Sequence, residues 1–378
     1  MKRLALLGAG HAHVEVLREF AARPLPICEL VVISPYPWLT YSGMVPGYVA
    51  GRYAIDDCTI DVAALCRRAN AKLVLSAVAG LDARARRITC ADRTIVDYDL
   101  ASLDVGSRPR TEAAVGVERH AIVVRPLERL VQGWNDLLAR ARSRSVQTIT
   151  MVGTGAAGLE LAFAMHHRLS REFGDGAPHL RLIGDSASPA PEFSAGARRR
   201  LRAEIAHRRI ESHQGSGVVE VGAGFVHLRN GLEFATDAVF WAAGSASHAW
   251  IAASGLAADE RGFVAINDCL QSTSHAEVFA AGDCATNEGR PRPKAGVFAV
   301  RAGPALAANL RAALEGRALR PHATSRRYLA LVSAGDSYAI GAWDGVSWEG
   351  EWVWRWKDRI DRDFVKKYKS VVAVSRRD

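Results

Sequence analysis

A chain of 378 residues with 49% hydrophobic residues and an ordinary aromatic share is long enough for two or three domains with their own cores, which excludes a disordered protein. The net charge of +9 concentrates in Arg198, Arg199, Arg200, Arg202, Arg208 and Arg209 and in the C-terminus, with no nucleic-acid-binding motif beside it, so nucleic acid is not an expected partner. No apolar run is long enough to span a bilayer, and the apolar start MKRLALLGAGH is too short for a signal peptide, so it reads as the first strand of a cytoplasmic protein. Cys28, Cys58, Cys66, Cys90, Cys269 and Cys284 form no closely spaced pair and read as buried free thiols.

Leu4 to Leu7 is an apolar strand of the kind buried on both faces of a parallel sheet. Gly8 and Gly10 then allow a tight turn, and a helix carrying Val14 and Leu17 opens on it. Unpaired N–H groups and the helix dipole meet there, so the cradle formed by Gly8, Gly10, His11 and Ala12 suits the pyrophosphate of a dinucleotide. His13 stands where the third glycine of G-x-G-x-x-G would be, so a looser helix contact and a packed imidazole are expected. Taken alone, this half-motif reads equally as a bare glycine turn. With His11 and His13 as the nearest histidines and no further ligands at useful spacing, no metal is expected.

Leu30 to Ile33 is a second parallel strand, followed by Ser34 and Pro35, where an acidic residue would hold a ribose. Ser34 retains one hydrogen bond but not a bidentate contact. The turn-rich stretch Trp38 to Gly47 is too apolar for a solvent loop. Lys72 to Val78 and Arg87 to Ile95 read as paired strands, and Tyr98 to Ser107 as an apolar strand ending in Gly106 and Ser107. Thr148 to Met165 then repeats the opening, with Gly153, Gly155 and Gly158 completing the motif. Leu180 to Ile183 leads into Asp185, whose carboxylate would accept from a ribose 2′-hydroxyl and repel a 2′-phosphate, although Arg181 and the arginines from Arg198 offset it. Phe240 to Gly244 repeats the Tyr98 to Ser107 element. Val278 to Ala281 ends in Gly282 and Asp283, a glycine that admits a ligand and a carboxylate in reach of a ribitol hydroxyl.

Three such signals in this order resemble the pyridine nucleotide–disulfide oxidoreductase superfamily from about Lys2 to Asn309. The resemblance implies an α/β fold of two Rossmann-like dinucleotide-binding domains plus a small C-terminal region. The FAD-binding domain would span 1–113 and 268–323, the NAD(P)H-binding domain 114–267 and the C-terminal region 324–378. It places FAD on the first glycine loop and on Asp283, and NADH or NADPH on Gly153, Gly155, Gly158, Asp185 and Gly244. Tyr41, Ser42 and Gly43 would lie along the isoalloxazine with Pro46 flanking it, and Val78 would reach the adenine. The amides of Ala295, Gly296 and Val297 open a helical run and would steady the reduced ring. Lys294 reads as added charge there or as a solvated loop lysine. Glu160 reads as a carboxylate favoured by its helix dipole or, by resemblance, as a group at the flavin–nicotinamide contact; both readings can hold together.

The redox cysteine pair of the disulfide reductases is missing between Tyr36 and Gly51. His13, TYSGMVPG, SLDVGS and the tryptophan-rich tail are most similar to type II NADH dehydrogenase-like proteins, a subgroup also found fused to selenide, water dikinase. The expected activity is transfer of hydride from NADH to FAD and of electrons to a quinone or other small acceptor. An accessory oxidoreductase of selenium or sulfur metabolism and a flavin-bearing sensor without NADH turnover are the alternatives. Within Trp348 to Lys369, Trp352, Trp356, Ile360, Phe364 and Tyr368 recur every four residues on a helix. That stripe either packs on the FAD domain or lies in a membrane interface at the inner face.

Overall fold

The computed structural model describes residues 1–322, 325 and 327–373. The boundary expected at 323 and 324 therefore falls outside the described residues. In chain order, strands β1 (Lys2–Leu7), β2 (Cys28–Ser34), β3 (Ala71–Leu75) and β4 (Leu100–Leu103) belong to one sheet. Strands β5 (Ala121–Val123), β6 (Thr148–Val152), β7 (His179–Ile183), β8 (Glu211–His213) and β9 (Ala238–Trp241) form a second. Strand β10 (Val278–Ala280) returns to the first.

The first sheet has the order β10-β4-β1-β2-β3 and the second β5-β9-β6-β7-β8, and every pairing in both is parallel. Parallel strands need helical crossovers, which cover both faces and make the central strands apolar throughout. Leu4 to Leu7 are accordingly fully buried. Helix α1 (His11–Ala22) follows β1, and α2 (Leu127–Arg142) follows β5. Helices α3 (Ala156–Phe173) and α4 (Ala195–His207) serve the second sheet, and α5 (Gly296–Leu314) lies against α1. The two helices meet closely at Gly303, where a Cβ would come within 2.7 Å of Glu15 Cβ.

Each sheet carries a three-stranded antiparallel meander, Val78–Asp82 with Arg87–Cys90 and Ile95–Asp97 in the first lobe, and Val218–Gly222 with Phe225–Leu228 and Glu233–Ala235 in the second. This corrects the expected pairing of Lys72 to Val78 with Arg87 to Ile95. The run breaks at Ser76: its first part pairs with β2 at the edge of the parallel sheet, and only the part from Val78 pairs with Arg87–Cys90. An apolar run carries no mark of which neighbour it pairs with.

After a hairpin sheet of Ala330–Ser333, Ala339–Trp343 and Val346–Gly350, helix α6 (Glu351–Ala373) crosses both lobes. The four-residue stripe does not bury as a unit. At 3.6 residues per turn each step of four advances about 40° around the axis, so Trp352 and Tyr368 end about 160° apart. Trp352, Trp356 and Ile360 are exposed, whereas Val353, Lys357, Asp361, Val365 and Tyr368 are buried. Tyr368 Oη donates to the buried Glu15 carboxylate (2.9 Å), which also takes the Lys367 ammonium (2.7 Å). The face of α6 that packs thus begins one residue after Trp352 and after Trp356, at Val353 and Lys357.

The two faces separate in a stability measurement. Ile360→Asp is expected to change unfolding free energy by no more than about 0.5 kcal/mol, and Val365→Asp to cost more than about 3 kcal/mol. Equal urea midpoints for the two variants would reverse the assignment of the buried face.

Candidate functional site

The first glycine cradle closes around a residue that sequence reasoning passed over. Gly8 has a φ of +85°, and a Cβ there would stand 2.5 Å from the Asp104 carbonyl oxygen. A Cβ on Gly10 would strike the Asp104 carboxyl group, and one on Gly282 would lie 2.6 Å from Asp104 Oδ1. Asp104 Oδ2 accepts from the backbone N–H of Ala12 (2.7 Å) and of His13 (3.1 Å). Two of the N–H groups at the start of α1 are therefore already committed to a carboxylate. Burial pushes the Asp104 carboxyl up to about 7, against the pull of the His13 and Ala12 amides.

His13 is fully buried in place of the third glycine. Its Nδ1 lies 2.6 Å from the Gly8 carbonyl oxygen and its Nε2 2.8 Å from Ser102 Oγ. A carbonyl only accepts, so the proton sits on Nδ1 and Ser102 donates to Nε2. Burial lowers the imidazole to about 4, so the ring is neutral and laces α1 to β1 and β4.

Beside this cradle runs a cleft of about 540 Å³. Of the residues expected to hold FAD, Gly8, Gly10, His11, Ser34, Pro35, Ser42, Val78, Gly106, Ser107, Asp283 and Gly296 line it. Ala12, Tyr41, Gly43, Pro46, Gly282, Ala295 and Val297 do not. Pro46 is buried in the short helix Val45–Val49, and Tyr41 stacks on Phe364 of α6 at 4.4 Å. Ser34 spends its hydroxyl proton on the Tyr36 carbonyl (2.8 Å) rather than on the cleft. His11 Nε2 is buried without a hydrogen-bond partner, and burial holds the ring at about 4. Arg125, also in the lining and absent from the expected set, donates to Ser107 Oγ (2.5 Å) and Asp283 Oδ2 (2.8 Å). A lone arginine after a strand gives no motif by which to find it.

Lys294 is neither solvated nor in the cleft. It donates to the Ala285 carbonyl (2.6 Å) and stands 3.8 Å above the Phe263 ring, where burial lowers its pKa.

The second cradle follows the first in plan. Gly153, at a φ of +106°, leaves no room for a Cβ beside Ala242 and Ala243, and Gly158 sits on the Gly153 carbonyl. Here too a carboxylate caps the helix: Glu192 Oε1 accepts from the N–H of Ala156 (3.0 Å), next to Gly155. Asp185 is exposed beyond β7. Arg181 is tied to Glu211 (3.0 Å) and to the Ala235 carbonyl (3.0 Å), so it does not counter Asp185. Gly244 turns at a φ of +68° beside Arg110.

Between the lobes, Glu160 of α3 meets α6. Its Oε1 accepts from the Ser333 N–H (2.8 Å) and lies 3.8 Å from Lys357 Nζ. Lys357 donates to Asp361 Oδ2 (2.7 Å) and to the carbonyl of Gly43 (2.8 Å), and Tyr41 Oη donates to Asp361 Oδ1 (3.1 Å). Burial pushes Glu160 up, with Lys357 opposing. Burial also works against the Lys357 ammonium, but Asp361 and Glu160 outweigh it and raise its pKa. Lys357 and Asp361 were missed because a charged i,i+4 pair on a basic helix reads as solvated surface.

These residues fit the expected groups. Gly8 and Gly10 line the cleft, the buried His11 nitrogen in the same lining is unpartnered, and Asp283 reaches the same cleft.

Comparison with known proteins bears on the same features. Residues 2–303 match the family model described as pyridine nucleotide-disulphide oxidoreductase. The chain is 27% identical over 297 residues to an NADH dehydrogenase-like protein of Mycobacterium tuberculosis, covering 75% of this chain and 73% of that one. It is 22% identical over 366 residues to a type II NADH:quinone oxidoreductase of Staphylococcus aureus, covering 91% and 89%. In fold it is similar to the sulfide:quinone oxidoreductase of Aquifex aeolicus, with a TM-score of 0.81 at 15% identity over 98% and 92% of the two chains.

The position of Asp104 predicts how cofactor binding responds to pH. A carboxyl raised from 3.8 to about 7 is ionised only above that value, where it opposes a pyrophosphate at the same helix. FAD affinity of the wild type is expected to fall between about pH 6 and pH 8. Asp104→Asn, which can still accept from both N–H groups, is expected to bind FAD about tenfold more tightly at pH 8 and unchanged at pH 6. Fluorescence titration of the apoprotein reads this, and parallel pH profiles for the two proteins would contradict it.

Proposed function

The chain belongs to the pyridine nucleotide-disulphide oxidoreductase family as an FAD-dependent NAD(P)H oxidoreductase, and we propose that it oxidises NADH and reduces a quinone at a membrane surface without a redox disulfide. Bound FAD supplies the two-electron carrier and NADH the hydride. The first cradle, Arg125 and Asp283 would hold FAD, and Gly153, Gly155 and Gly158 would hold NADH. Exposed Asp185, with Arg181 bound elsewhere, favours a free ribose 2′-hydroxyl over a 2′-phosphate.

One observation carries the reading: the buried array of Glu160, Lys357, Asp361 and Tyr41, which joins the second nucleotide helix to the segment expected along the flavin. Quinone reduction consumes two protons with two electrons. Glu160, its pKa raised by burial, is suited to hold a proton there, and Lys357 fixes its position. The thiols offer no competing route. All six cysteines are free, and burial pushes Cys58, Cys66 and Cys284 up to about 12, where a thiolate is scarce.

Membrane contact is supported by the outer face of α6. Trp348, Trp352 and Trp356 form a three-membered cluster in which each pair of ring centroids is 6.5 Å apart, with Trp352 and Trp356 exposed and Ile360 and the arginines Arg355 and Arg359 on the same helix also exposed. Tryptophans flanked by basic residues suit an interface of headgroups. No helix among the described residues is long and apolar enough to cross a membrane.

Anaerobic mixing with NADH is expected to bleach the flavin, and a quinone analogue to restore its colour. Glu160→Gln is expected to slow the second step about a hundredfold; a flavin that stays oxidised under NADH would sink the proposal. Paired Trp352→Ala and Trp356→Ala substitutions leave the buried face of α6 intact. They are expected to cut retention on anionic vesicles severalfold, and unchanged flotation would remove the membrane contact.

A further inference from the structure

Away from both cradles, a cavity of about 390 Å³ opens between the turn after the helix Val45–Val49, the second half of α3 and α6. Its charged lining is of one sign. Arg52, Arg171 and Arg362 face it together with His167, and Tyr53 and Trp354 form its aromatic walls, with no carboxylate in the lining. Two of the guanidinium groups are held in place by the walls. Arg52 lies 4.7 Å over the Trp354 ring and donates to the Gly335 carbonyl (3.1 Å), while Arg362 lies 4.8 Å over the Tyr53 ring.

Counting the neutralising groups decides what the cavity is for. Arg362 is paired with Asp358 (2.9 Å). Among the described residues Arg52 meets only a carbonyl and a ring, and Arg171 has neither an ion pair nor a hydrogen bond. The surplus is felt by His167, whose pKa is lowered by burial and then by Arg52, with Arg208 and Arg171 adding to it and Asp336 opposing. Water screens part of the repulsion because Arg171 and Arg362 are exposed, and an anion joining the half-buried Arg52 and its neighbours would compensate the charge that remains. Guanidinium groups converging from three segments match the tetrahedral oxygens of a phosphate, which they can bind through paired hydrogen bonds. The volume exceeds what a bare phosphate fills and lies in the range of small-molecule sites.

We propose that this cavity is a binding site for a phosphate monoester or diester bearing a small organic group, separate from both nucleotide cradles. A soluble phosphate ester and the headgroup of an anionic phospholipid share that chemistry, and the second is within reach because α6 also carries the exposed tryptophans.

The test uses full-length holoenzyme with saturating NAD⁺, so that the nucleotide cradles are filled. Glycerol 3-phosphate is titrated calorimetrically, and retention on phosphatidylglycerol vesicles is compared with retention on phosphatidylcholine. Arg171→Gln, an exposed side chain with no partner to lose, is expected to weaken binding at least tenfold while leaving NADH-dependent flavin bleaching unchanged, and Arg171→Lys to recover part of it. Loss of glycerol 3-phosphate binding in Arg171→Gln with vesicle retention intact supports the site with a soluble ester as its ligand. Loss of the phosphatidylglycerol preference supports it with the headgroup as ligand. No binding of either probe by the wild type, or binding that Arg171→Gln does not change, overturns it.

Discussion

The Lys357 ammonium is the group on which the arrangement of this molecule depends. It is buried against Asp361 and near Glu160, and it donates to the Gly43 carbonyl. Those partners belong to α6 itself, to the second nucleotide helix and to the turn between the short strand Trp38–Thr40 and the helix Val45–Val49. Burying a charge is costly without compensation, and removing one member of such a set leaves an unpaired ion that costs several kcal/mol. The set is therefore satisfied only when both lobes and the C-terminal helix are in register. Tyr368 and Lys367 on Glu15 repeat the device further along α6. Hydrophobic contact alone would leave the helix freer to slide, because apolar surface is not directional.

The same reliance on buried polar groups explains why the glycine motifs differ between the lobes. In the second, Gly158 lies on the Gly153 carbonyl and the helix approaches its strand backbone to backbone. In the first, the neutral His13 ring spans that gap and is hydrogen-bonded at both nitrogens, to Gly8 and Ser102. A looser contact was expected from the sequence; the histidine replaces close packing with a fixed bridge. Asp104 then uses the space that Gly8, Gly10 and Gly282 leave, so these three glycines answer to a side chain of the protein.

What could be read in the sequence was whatever depends on local pattern. Leu4 to Leu7, Thr148 to Gly158 and Val278 to Asp283 announce strands, turns and helix starts because a run of four apolar residues or a glycine pair fixes backbone geometry within a few positions. Residues that act across long separations gave no such sign. Asp104, Arg125, Lys357 and Asp361 each sit among charged or apolar neighbours that look like ordinary surface or strand, and their partners are distant in sequence. The tryptophan stripe failed for a different reason: a spacing of four keeps a helix face for about two turns and then drifts off it, so Phe364 and Tyr368 pack while Trp352 and Trp356 do not.

That drift gives α6 two uses that a single amphipathic face could not serve. Its buried side carries Val353, Lys357, Asp361, Val365 and Tyr368 into the junction of the lobes, its outer side carries the stacked tryptophans, and its shoulder brings Trp354 and Arg362 to the arginine-lined cavity. A partner bound at the outer side or the shoulder acts on a helix whose inner side holds Lys357. Any shift of α6 along its axis would move the ammonium relative to Glu160, and a charge displaced by an ångström within a buried pair changes that pair's interaction by more than a surface contact is worth. The inner and outer faces are carried by one helix, so the register that Lys357 fixes against Asp361, Gly43 and Glu160 also fixes where the tryptophans and Arg362 stand.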